Sequence, residues 1–136
     1  IHIIEGTFQR SKLLALYKCC DCYLSLHRSE GFGRGIAEAI LLGLHVITTG
    51  YSGNLEFCQF NNQVDIVPYS LIKVKENEYP YSSNQYWAEP KINYAINMMK
   101  KLINKNVMYS SNICNVNVLG KLYKKRLKNI KGSLKE

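Results

Sequence analysis

The sequence has no apolar run long enough to cross a bilayer and no N-terminal secretory signal. Its longest apolar stretch, residues 36–49, is interrupted by Glu38 and His45, whereas a membrane-spanning helix needs about 20 apolar residues. These absences predict a cytoplasmic protein. The 136 residues are 46% hydrophobic, which is enough for one folded domain and argues against intrinsic disorder.

A set of paired cysteines is also missing. The chain has five Cys residues, an odd number, and no export signal, so we expect reduced thiols rather than a disulfide framework. Cys19 and Cys22 form a C-x-x-C pair, but no second Cys or His pair with metal-ligand spacing accompanies it. Buried structural thiols are the preferred interpretation, and a metal or redox site is the alternative.

The chain lacks a basic face spread over the whole domain, although its formal net charge is +8. Residues 121–136 hold seven of the 18 Lys and Arg residues and one of the ten acidic residues. The remainder is nearly neutral and has no interleaved aromatic residues of the kind that bind single strands, so nucleic acid is not an expected partner. The basic tail predicts either contact with an anionic membrane surface or a solvated helix face. Its cations include Lys121, Lys124, Lys125, Arg126, Lys128 and Lys131.

The hydrophobic pattern alternates between strands and helices. Such alternation implies βαβ crossovers and an α/β fold, with a Rossmann-like parallel sheet covered by helices on both faces. Residues 69–87 show no clear period and are expected to form a long loop, and Pro90 suits the first turn of the helix that follows. The expected strands are 1–5, 22–26, 46–49 and 64–67. The expected helices are 10–20, 36–42, a short one through Leu55 and Phe57, one from Glu89-Pro90, and a last one from about Asn115.

One glycine-rich turn lies between a predicted strand and a predicted helix. It lies within residues Ser29 to Gly35 and contains Gly31, Gly33 and Gly35, with Glu30 ahead of these glycines and Glu38 inside the helix. Glycines let a ligand approach the backbone, and the N-terminus of a helix favours an anion such as phosphate. The turn lacks the G-x-G-x-x-G spacing and the P-loop lysine, so a turn without a ligand fits the pattern equally well.

The residues around this turn resemble the Glu-x7-Glu region of retaining GT-B glycosyltransferases of the group 1, mannosyltransferase-like, family. The core of the resemblance is Ser25-Leu26-His27-Arg28-Ser29-Glu30-Gly31-Phe32-Gly33, followed by Glu38-Ala39 and Gly43. Flanking matches are Leu16-Tyr17 and Asp21, then Val46-Ile47-Thr48-Thr49, Gly53 and Glu56, then Tyr79-Pro80-Tyr81 and Trp87-Ala88-Glu89-Pro90. The family-like part covers residues 1–104, and residues 105–136 would form a helical, basic tail.

The resemblance implies that the chain is part of a C-terminal, nucleotide-sugar-binding domain, and that alone it is inactive. The full enzyme would transfer a hexose, with retention, from a nucleotide diphosphate sugar to a polysaccharide or glycolipid acceptor, without metal or other cofactor. Glu30, as the catalytic-site carboxylate, would contact the transferred sugar together with Gly31, Phe32 and Gly33. Glu38 would bind the ribose hydroxyls. The family's diphosphate-gripping Arg and Lys would lie before Ile1.

Some positions depart from the family pattern or leave alternatives open. The family usually has Pro where His45 stands and an apolar residue where Arg34 stands. These departures concern the enzyme's choice of sugar rather than its class. Arg34 is a donor-binding candidate. His27 and His45 are expected to be structural or surface residues without a tuning partner. Two roles are open for Arg28, contact with a phosphate and exposure to solvent as a surface residue. The rival functions are a non-catalytic nucleotide-sugar-binding module and a nucleotide-sugar epimerase of the same architecture. Tyr51, Ser52 and Asn54 are further candidates for the sugar pocket.

Overall fold

A computed structural model describes residues 1–80 and 84–103. The predicted helix from Asn115, the basic tail and Cys114 lie outside these residues. Within them, no helix is long and apolar enough to cross a membrane. The elements in chain order are α1 Arg10–Lys18, β1 Cys22–Ser25, α2 Arg34–Leu41, β2 His45–Thr49, α3 Leu55–Cys58, β3 Val64–Val67, β4 Tyr69–Lys73, β5 Tyr86–Pro90 and α4 Ile92–Ile103.

Three strands form a parallel sheet in the order β1-β2-β3. Val46 of β2 is opposite Tyr23 on one side and opposite Val64 on the other. All five residues of β2 are buried, as expected for the central strand of a sheet covered on both faces. The α/β class and the parallel sheet predicted from the sequence are therefore confirmed.

Helices cover the two faces of this sheet. Because neighbouring side chains of a strand point to opposite faces, Val46 and Ile47 belong to different clusters. Val46 packs with Ile36 and Ile40 of α2, and Ile47 packs with Ala95 of α4. The prediction of helices on both faces is thus confirmed for the described elements.

The first five residues are not a strand, contrary to the prediction. Ile1, Ile3 and Ile4 are exposed, and residues 1–5 have no regular structure. A strand needs a neighbour for its backbone hydrogen bonds, and within the described residues β1 pairs only with β2. The apolar character of the segment was therefore insufficient evidence for pairing.

The predicted loop at 69–87 was also wrong, because β4 and β5 pair there as an antiparallel ribbon. All five residues of β4 are exposed, so the strand shows none of the alternation on which sequence patterns depend. Pro90 ends β5, and α4 begins at Ile92. The proline therefore does not occupy the first turn of the helix.

Candidate functional site

The glycine-rich turn lies at the carboxyl end of β1, next to the loop that follows β2. Gly53 of that loop donates its N–H to the carbonyl of Glu30 at 3.2 Å. A Cβ on Gly53 would collide with the carbonyl oxygen of Gly31. The two loops therefore touch through their backbones, at the edge where open α/β sheets bind ligands.

Gly33 is the residue at which the turn ends and α2 begins. Its backbone is left-handed, with φ 83° and ψ 52°, a conformation that favours glycine. Its carbonyl accepts the N–H of Ala37 at 2.9 Å, and no side chain caps this end of the helix. The N–H groups of the first turn of α2 thus have no side-chain acceptor, which is the arrangement that suits an anion.

Glu30 closes the turn on itself. Its Oε1 accepts the N–H of Gly33 at 3.2 Å, and its side chain is half-buried. Phe32, between them in the chain, is half-exposed and contacts Phe57 of α3 with ring centroids 5.0 Å apart. Besides the hydrogen bond from Gly53, one carboxylate and one aromatic contact hold the turn, while Gly31 remains exposed.

Glu38 lies in the second turn of α2 and carries two cation contacts. Arg10, the first residue of α1, donates from Nη1 to Oε1 at 2.8 Å. Arg34, one turn earlier in α2, has its Nε 3.7 Å from the same oxygen. The Glu38 side chain is only 12% exposed, whereas those of Arg10 and Arg34 are 57% and 87% exposed. A nearly buried carboxylate thus meets two solvent-facing guanidinium groups.

The hydroxyl of Tyr23, in β1, is affected by the charges of both Glu30 and Glu38. Burial raises its pKa to about 12, with smaller contributions from Tyr17 and then from the charges of Glu30 and Glu38. Its hydroxyl lies under Gly35, where an added Cβ would come within 2.5 Å of it. Both carboxylates therefore lie within electrostatic range of one hydroxyl beneath the first turn of α2.

His27 connects the loops at the carboxyl ends of β1 and β2. Its Nδ1 is 3.1 Å from Ser25 Oγ, and its Nε2 is 3.0 Å from the carbonyl oxygen of Tyr51. A neutral imidazole has one donor and one acceptor nitrogen, which matches a hydroxyl on one side and a carbonyl on the other. The role of His27 here is structural, as predicted, although the sequence revealed neither partner.

The loop after β2 is supported from below by Asn54, which is fully buried. Its Nδ2 donates to the carbonyl of Thr49 at 3.1 Å and lies 3.4 Å from Thr48 Oγ1. Asn54 therefore fixes the loop rather than lining its surface. Tyr51 and Ser52 are partly exposed beside it.

Arg28 is engaged by β5. Its guanidinium stacks over the ring of Trp87 at 4.9 Å from the centroid and forms an ion pair with Glu89 at 2.8 Å. The carbonyl of Arg28 also accepts the N–H of Ala88 at 2.9 Å. Arg28 therefore joins the β4–β5 ribbon to the segment preceding Glu30. This role differs from the two predicted for it, which were contact with a phosphate and exposure to solvent.

His45 lies at the amino end of β2, away from the glycine-rich turn. It is buried, and its Nε2 is 2.9 Å from Asp65 Oδ2 of β3. The expectation that His45 has no partner was therefore wrong. Asp65 is close in space because β2 and β3 are neighbours in the sheet, a pairing that sequence spacing does not reveal.

The cysteines do not form one buried group. Cys58 is buried and Cys22 partly so, but Cys19 and Cys20 at the end of α1 are exposed, contrary to the preferred interpretation of buried structural thiols. Among residues 1–80 and 84–103, no cluster of three or more His, Cys, Asp or Glu side chains has the geometry to hold a metal ion.

The structure thus gathers the predicted residues Glu30, Gly31, Phe32, Gly33, Arg34 and Glu38 around one turn and adds Arg10, Tyr23 and Gly53. Tyr23 adjoins the motif in the chain, but only the folded structure shows that its hydroxyl lies beneath Gly35. Arg10 carries no local signal at all. Comparison with protein-family models, curated proteins and solved structures found no match, so the function has to be inferred from the geometry of this turn.

Proposed function

We propose that this chain is part of the donor-binding domain of a retaining glycosyltransferase that uses a nucleotide diphosphate sugar. One observation carries the proposal. A glycine-rich turn at the carboxyl end of a parallel strand opens an uncapped helix, with Glu30 in the turn and Glu38 in the second turn of that helix. This arrangement offers N–H donors for a diphosphate and carboxylate acceptors for hydroxyl groups on either side of it.

Each part of the ligand has a matching group. The first-turn N–H groups of α2 suit the diphosphate, because the helix dipole favours negative charge there. Glu30, in the turn, is assigned to the hydroxyls of the transferred sugar. Glu38, farther along α2, is assigned to the ribose diol. Gly31 is exposed, so the backbone of the turn is open to a ligand at this position.

Binding measurements on the two glutamates test this assignment. Glu38→Ala removes a charged acceptor from the ribose, so it should weaken the binding of a nucleoside diphosphate by roughly 10- to 150-fold. Glu30→Ala should weaken that binding less than Glu38→Ala does, because a bare nucleoside diphosphate has no sugar to lose and the turn loses only the contact of Glu30 with the Gly33 N–H. Calorimetric titration of both variants, with the exposed Glu76→Ala as a matched carboxylate control, measures the difference.

Turnover measurements separate an enzyme from a binding module. In the intact protein, Glu30→Ala should lower the rate of sugar transfer more than it weakens nucleotide binding, because the lost contact is made to the transferred group. Full turnover by Glu30→Ala, or nucleotide binding by Glu38→Ala equal to that of the unsubstituted protein, would show that the ligand is wrongly placed along the turn. Binding without any transfer would indicate the non-catalytic module instead.

A further inference from the structure

Arg10 and Glu38 form an ion pair that joins two elements far apart in the sequence. Arg10 is the first residue of α1 and Glu38 lies in α2, 28 positions later. No residue of α1 is fully buried, so this helix is only lightly attached to the core. An ion pair with one partner 57% exposed contributes little to stability. Its placement therefore calls for an explanation other than holding the fold together.

The two cations near Glu38 differ in what they can do. The Arg10 contact is a hydrogen bond of 2.8 Å, which fixes both the distance and the direction of the carboxylate oxygen. The Arg34 contact of 3.7 Å is too long for a hydrogen bond and contributes only a screened attraction. Arg10 is thus the group that orients the Glu38 carboxylate.

Both contacts fall on the same oxygen of Glu38. Within the described residues, Arg10 and Arg34 both contact Oε1. A carboxylate held by one oxygen can present the other, with its lone pairs in a fixed direction, to a hydroxyl group.

We infer that Arg10 is a positioning residue, which holds Glu38 through Oε1 so that Oε2 accepts hydrogen bonds from the ribose of the nucleotide. The inference rests on the proposed function, because it assigns Glu38 to the ribose. It adds a residue from α1, outside the glycine-rich turn, to the determinants of ribose recognition. Arg10 itself touches Glu38 and not the ligand.

The test compares ligands with and without the ribose hydroxyls. Uridine diphosphate and guanosine diphosphate, each beside its 2′,3′-dideoxy counterpart, are titrated into the full chain and into Arg10→Ala. Arg10→Ala should weaken binding of the ribonucleotide by about 5-fold, since one hydrogen bond loses its alignment. Binding of the dideoxy compound should not change. Arg10→Lys keeps a cation and a donor and should recover part of the loss.

Two further variants make the comparison specific. Lys12→Ala removes a positive charge from an exposed position on the same helix and should bind both ligands like the unsubstituted chain. In a Glu38→Ala background, adding Arg10→Ala should have no further effect, because the group through which Arg10 acts is gone. Circular dichroism of each variant checks that the fold is intact.

The possible failures are distinguishable. Equal weakening of both ligands by Arg10→Ala would overturn the inference, because Arg10 would then act on the phosphates or on the shape of α1. If Arg10→Ala binds normally while Glu38→Ala loses its preference for the ribonucleotide, the inference fails and the assignment of Glu38 stands. An unsubstituted chain that does not prefer the ribonucleotide overturns both.

Discussion

At the scale of single residues, Gly53 explains how two loops meet at the carboxyl edge of the sheet. Its N–H binds the Glu30 carbonyl, and its α-carbon lies against the Gly31 carbonyl, so no side chain fits between them. The obstacle is backbone, which cannot rotate aside as a side chain can. The position of the turn therefore depends on a residue that lies outside the turn.

We expect Gly53→Ala to lower the free energy of unfolding by roughly 3 kcal/mol, because the new methyl group forces the two loops apart. Gly31→Ala is the matched control, since a Cβ at Gly31 would have no neighbour within 4 Å. Urea unfolding of the two variants measures the difference. Similar stability of both variants would mean that the loops are not in contact as described.

At the scale of elements, the sequence predicted those strands and helices whose burial follows a period. Helix α2 buries Ile36, Ala37, Ala39 and Ile40 and was predicted within two residues. The β4–β5 ribbon was missed because β4 buries no side chain and its partner lies beyond a turn-rich segment. A hydrophobic pattern reports burial, so it cannot report strands that are held mainly by backbone hydrogen bonds.

The same limit applies to the candidate site. The glycine-rich turn and its two glutamates are contiguous in the chain, so the sequence sufficed to predict them. The contacts of Arg10 with Glu38 and of Gly53 with Gly31 join residues more than 20 positions apart. Such pairs are set by the order of strands in the sheet, which spacing within a motif does not encode.

The contact of Arg28 with Trp87 joins the β4–β5 ribbon to the segment before Glu30, and it can be tested by fluorescence. Arg28 covers one side of Trp87, the only tryptophan in the chain, so tryptophan fluorescence reports the surroundings of this ring. We expect Arg28→Ala to expose the ring and to shift its emission to longer wavelength. Lys73→Ala removes an exposed cation from β4 and should leave the emission unchanged. Identical spectra for both variants would mean that the stacked contact does not persist in solution.

At the scale of the whole molecule, burial makes the stability of the sheet depend on the ionisation of two thiols that are neutral at pH 7. Burial raises the pKa of the Cys58 thiol from its ordinary 9.0 to about 11. Burial, and then the charge of Asp65, raise the pKa of Cys22 to the same value. Cys58 belongs to the cluster under α2, and Cys22 packs on the cluster under α4, so both faces of the sheet contain such a thiol.

The direction of the pH effect follows from these shifts. Between pH 9 and 11 the unfolded chain loses the thiol protons, whereas the folded chain retains them, so alkaline pH favours unfolding. The contribution is complete below about pH 9 and is lost as the pH rises toward 11. One such group changes the free energy of unfolding by at most about 1.4 kcal/mol per pH unit.

Cys58→Ala isolates one of the two thiols. This variant should be less stable at pH 7.5, because it leaves a small cavity beside Ile36 and Val46, yet its stability should fall less steeply between pH 9 and 10.5. Cys19→Ala, at an exposed position, should follow the pH dependence of the unsubstituted chain. Urea unfolding at several pH values under reducing conditions gives the slopes. If Cys58→Ala and Cys19→Ala show the same slope, the Cys58 thiol is not protected from ionisation in the folded state, and its burial between α2 and the sheet cannot be the source of the pH dependence.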